Sequence, residues 1–158
     1  MLIQLQLYGL VFLLGSFTVA TLSDLRRMAA QKDFAEVWAA FTLLFLLYDV
    51  YHLDQGSPLM LAGKWLLIAF FIIASLKITV HWFVLSLMDI AAVCAVMSLL
   101  DAPHILLYYF IVIVLKELMN PLLKKFGDAR AYPFLPVVLA STTAIFAVLS
   151  YGGLGITI

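Results

Sequence analysis

The sequence predicts an all-α polytopic membrane protein, one domain of six transmembrane helices over residues 1–158. Three observations predict it. Apolar residues make up 66% of the chain and charged residues only 11%, with a mean hydropathy of +1.14. Soluble domains are roughly 45–50% apolar and about 25% charged, so this excess is too large for one soluble core. The apolar residues also fall into six runs separated by short polar, glycine- or proline-containing stretches, and a membrane helix needs about 20 mainly apolar residues.

The first span covers residues 2–22. No basic residue precedes it, and it runs into Asp24-Leu25-Arg26-Arg27 without a small-residue cleavage site. It therefore reads as a retained helix rather than a removed signal peptide. A polar segment, 23–34, leads to the second span, 35–53. Asp54-Gln55-Gly56-Ser57-Pro58 supplies the turn to the third, 59–79. A connection at 80–86, with His81 and Trp82, precedes the fourth span, 87–101, which opens with Asp89. Asp101-Ala102-Pro103 turns into the fifth, 104–119. A basic loop, 120–131, then leads to the sixth, 132–151, where Pro133 and Pro136 fit a helix start.

Charge orients these spans. Nine basic and nine acidic residues cancel, and no basic patch suggests nucleic acid. With the N-terminus outside, Arg26, Arg27, Lys32, Lys77, Lys116, Lys124, Lys125 and Arg130 fall on the cytoplasmic side and Lys64 alone on the outer side, as the positive-inside rule asks. The expected location is the plasma membrane, crossed several times. Asp24, Asp33, Glu36, Asp89, Glu117 and Asp128 then share the cytoplasmic side, while Asp49, Asp54 and Asp101 lie on the other. The two faces are about 30 Å apart, so Asp24 cannot share a water with Asp49.

Intramembrane carboxylates point to a chemistry. Two aspartates that share one proton can divide the work of an aspartic peptidase: the ionised one takes a proton from water, and the protonated one serves as acid. Neither metal nor cofactor is needed. Asp24 stands where the first apolar run ends; its structural alternative is neutralising Arg26 or Arg27. Asp89 lies in Phe83–Val93 with no base within seven positions, and its structural alternative is an acid favoured by a helix N-terminus. Asp128 follows Gly127 among Lys124, Lys125 and Arg130, where a solvated loop charge is the alternative. His52, His81 and His104 do not cluster at ligand spacing, which argues against a metal site. Cys94, the single cysteine, reads as a helix-packing residue. The tryptophans and tyrosines read as interfacial anchors or packing.

Ala20-Thr21-Leu22-Ser23-Asp24-Leu25-Arg26-Arg27 resembles the first-aspartate motif of the type IV prepilin peptidases, in particular their archaeal, preflagellin-peptidase-like members. The resemblance implies six spans, a cytoplasmic active site and a second aspartate in a Gly-x-Gly-Asp motif opening the span three further on. Asp89 has that place, 89 − 24 = 65 residues after the first aspartate, although Ser86-Leu87-Met88-Asp89 lacks both glycines. Asp128 has the better letters in Gly127-Asp128-Ala129-Arg130 but comes 128 − 24 = 104 residues after Asp24, two spans late. Because two carboxylates must first meet in space, Asp24 with Asp89 is the preferred pair and Asp24 with Asp128 the alternative. Tyr48-Asp49 with Gly127-Asp128 is similar to the presenilin-like pair, but the orientation puts these on opposite faces. The resemblance further implies hydrolysis of the leader of a prepilin- or archaellin-like precursor. The cysteine-containing methyltransferase insert of bacterial members is absent, so product methylation is not expected. From the residues alone, a small transporter, a proton pathway or an inactive scaffold stays open beside the peptidase.

Overall fold

A computed structural model describes residues 2–27, 32–52, 57–77, 85–123 and 134–153. Among these residues it is all-helical, with six helices and no strand: α1 (Leu2–Arg27), α2 (Lys32–Tyr51), α3 (Pro58–Lys77), α4 (Leu87–Leu99), α5 (Ala102–Leu123) and α6 (Leu135–Gly153). Four of them, α1, α2, α3 and α5, are long and apolar enough to cross a membrane; α4 and α6 are shorter apolar helices.

Each of the six apolar runs forms one helix, but the helix ends differ from the ends of the runs. Hydropathy marks where apolar side chains stop, not where backbone hydrogen bonding stops. The segment Ser23–Arg27 contains no helix breaker, so α1 continues through it. Arginines also suit the carboxyl end of a helix, where the backbone dipole is negative. α5 also runs past residue 119, to Leu123, although Pro121 lies inside it and removes one donor from the ladder. At its start, Pro103 is taken into the first turn, where a missing N–H costs little.

The chain divides into two compact units: residues 1–30 with 108–158, and residues 31–107. In the first, α1 packs on α6. The buried positions of α1, Leu10, Leu13, Phe17, Ala20 and Thr21, form one stripe at three- and four-residue spacing. Those of α6 include Val138, Ser141, Thr142 and Ile145, again one stripe.

The second unit is built around α4, against which α2 and α3 pack. Every residue from Ala92 to Leu100 is buried, and all are apolar except Ser98, whose hydroxyl donates to Ala95 O at 2.8 Å. Ala92, Cys94, Ala95 and Ser98 are small enough to let neighbouring backbones approach. Trp38 of α2 and Ile68 of α3 are buried in the same unit. The 13 residues of α4 rise about 20 Å, short of the ~30 Å hydrocarbon thickness of a bilayer.

Candidate carboxylate site

Asp24 lies in the last turn of α1, in the first unit. Its position runs against helix electrostatics, since a carboxylate at a C-terminus faces the negative end of the dipole. Helix formation therefore gives no reason for an acid at this place.

Asp89 belongs to the second unit and sits at the opposite kind of helix end. Ser86 is the N-cap of α4, in extended backbone with φ −69° and ψ 157°. The Asp89 backbone N–H donates to Ser86 Oγ at 3.2 Å. In return Asp89 Oδ2 accepts from the Ser86 backbone N–H at 3.0 Å and from Ser86 Oγ at 2.7 Å. This is a reciprocal capping box. It explains how a carboxylate only 8% exposed is tolerated at the head of a buried helix, because two donors and a helix N-terminus are the partners a negative charge takes. The signal was present in the sequence as Ser-x-x-Asp before an apolar run. Replacing Ser86 with Ala is expected to cost about 1 kcal/mol, read as a fall of about 2–4 °C in the thermal unfolding midpoint.

Asp128 and His81 lie outside the described residues. Asp33 and Glu36 are exposed in the first turns of α2, where acids are favoured by the dipole. Asp101 is exposed at the start of α5. Glu117 meets Lys116 at 3.7 Å with its side chain 65% exposed, a surface pair of little energetic weight. Cys94 is a buried free thiol inside α4. The His52 ring lies tilted at 31° to that of Tyr48, with centroids 4.2 Å apart, and its Nδ1 lies 3.0 Å from the Tyr48 carbonyl oxygen. Among the described residues no three His, Cys, Asp or Glu side chains gather where they could hold a metal ion.

One polar cluster was missed by the sequence reading. Lys64 of α3 donates to Asp49 Oδ2 of α2 at 2.7 Å, and Trp65 Nε1 donates to the same oxygen at 3.0 Å. The Lys64 ammonium also lies 5.4 Å from the centroid of the Trp65 ring, within cation–π range. The signal was Lys64, the one base that the positive-inside count assigns to the outer side, with Asp49 expected on the same side.

Comparison of the chain with protein-family models, with curated proteins and with solved structures gives no match.

Proposed function

We propose that the chain is a six-span membrane aspartic endopeptidase that cuts the leader of a type IV prepilin- or archaellin-like precursor at the cytoplasmic face. The observation that carries the reading is Asp24 in the last turn of a long apolar helix, ahead of Arg26 and Arg27. That is an acid placed against the helix dipole at the expected edge of the membrane. Asp89, nearly buried at the head of α4, is its preferred partner, and Asp128 is the alternative. In the reaction, one carboxylate takes a proton from water as the water oxygen attacks the scissile carbonyl. The other, protonated, hydrogen-bonds the carbonyl oxygen, and a proton reaches the leaving amine as the C–N bond breaks. The basic segments would face the hydrophilic part of the precursor while its apolar segment lies among the spans.

The test is cleavage of such a precursor by the protein in native-like membranes, against an Asp24→Asn variant. The expected result is a rate lowered about 10³-fold; cleavage by the variant at the parental rate overturns the mechanism.

A second reading is favoured by the capping box. Asp89 Oδ2 is already engaged by Ser86, which gives the residue a structural use without chemistry. On that reading the protein is non-enzymatic: an inactive homologue that holds pilin-like segments as a scaffold, or a small transporter or proton pathway. Persistent binding of a precursor without cleavage identifies the scaffold.

A further inference from the structure

Hydroxyl groups inside helices have a local remedy for burial: they donate to the carbonyl three or four residues back. Ser16, Thr18, Thr42, Ser98, Thr142 and Thr143 all take it, at 2.7–2.9 Å. Thr21 and Ser141 do not. Both are buried, Ser141 completely and Thr21 to 6% exposure, and neither hydroxyl has a hydrogen-bond partner among the described residues.

These two residues share one unit and lie on the two helices that pack in it. Thr21 ends the buried stripe of α1, and Ser141 stands in the middle of the buried stripe of α6, beside Thr142, whose hydroxyl is turned onto Val138 O. A buried hydroxyl left unmade is costly, and the local carbonyl was within reach in both cases, so each is expected to have a better partner. The described neighbours of the two hydroxyls along these stripes are mainly apolar side chains, and an internal water is small enough to meet a hydroxyl among them. Helix carbonyls keep a second lone pair beyond their intrahelical bond. Hydroxyl and carbonyl together provide the two or more polar contacts that an internal water requires.

We propose that the α1–α6 seam is hydrated: Thr21 and Ser141 each bind an ordered water inside an otherwise apolar helix pair. This goes beyond the peptidase reading and does not rest on it. For that reading it adds a store of the nucleophile one helical turn from Asp24.

The test is radiolytic labelling of the full chain in lipid nanodiscs, in which an X-ray pulse turns bound water into hydroxyl radicals. Buried side chains are oxidised only where water is already present beside them. Phe17, one turn from Thr21 and fully buried, reports on the first position; Val138 and Ile145 report on Ser141. The expected result is oxidation of these residues in the parent, reduced at least about threefold in T21V/S141A at the matching positions, with T21S/S141T labelled as the parent is. The Ser141→Ala variant, a change of one atom, serves in case the double variant does not fold. Absence of labelling in the parent, or labelling unchanged by loss of the hydroxyls, overturns the proposal. Because the readout needs no cleavage, its failure is distinct from failure of the peptidase reading.

Discussion

Asp49→Ala is expected to destabilise the protein by about 3–5 kcal/mol, the usual cost of leaving one charge of a buried pair without its counterpart. In a thermal unfolding experiment in detergent micelles this reads as a midpoint lowered by roughly 6–20 °C. The size follows from what converges on one atom: Asp49 Oδ2 accepts from both Lys64 Nζ and Trp65 Nε1. The two charged side chains are only 12% and 9% exposed, so water does little to screen them. Removing the carboxylate strands an ammonium and an indole N–H together. Lys64→Met is expected to cost less, because Asp49 keeps the Trp65 bond and the unbranched methionine fills the lysine stem's volume. The double variant D49N/K64M is expected to recover most of the loss. Asparagine still accepts from Trp65, no charge remains, and replacing a buried pair as a whole is often neutral. If all three variants unfold at the parental midpoint, the cluster has no part in joining α2 to α3.

That cluster also shows what a linear reading captures and what it loses. The positive-inside count left Lys64 as the lone base on the outer side, beside an acid at the same depth. The pairing was legible there as a charge out of place that needed a partner. The six apolar runs were legible because burial in lipid or protein demands the same residues. Their ends were not, since Ser23–Arg27 is polar in composition yet carries no residue that breaks the hydrogen-bond ladder of α1. The choice of partners was beyond reach: that α2, rather than its neighbour α3, makes the larger packing on α4 depends on how side chains fit in three dimensions, which hydropathy along the chain does not encode. At the candidate site, Asp24 and Asp89 were found as acids in costly places. The residue that does the local work before Asp89 is a serine, not the glycines that the family resemblance implies. Ser86 anchors α4 by a cap whose Ser-x-x-Asp spacing was readable all along.

That cap separates chemistry from structure at Asp89. Asp89→Asn is expected to fold as the parent does, with a midpoint within about 2–4 °C, equivalent to about 1 kcal/mol. The asparagine carbonyl oxygen can still accept from the Ser86 backbone and hydroxyl, and Ser86 Oγ can still accept the residue 89 N–H. An amide, however, cannot take a proton from water. On the peptidase reading cleavage of a prepilin-like precursor should therefore fall about 10³-fold, within the range that a positioned acid or base contributes. Asp89→Ala is the contrasting variant: it removes cap and carboxylate together, so its loss of activity would come with a lowered midpoint. Asp128→Asn, assayed in parallel, identifies the partner of Asp24, since the variant that folds but does not cut marks the second carboxylate. If both asparagine variants cut at the parental rate while Asp24→Asn does not, Asp24 works with a different acid. If none of the three changes the rate, or the parent itself binds the precursor without cutting it, Asp89 is a capping residue and nothing more. The scaffold reading then takes the place of the peptidase.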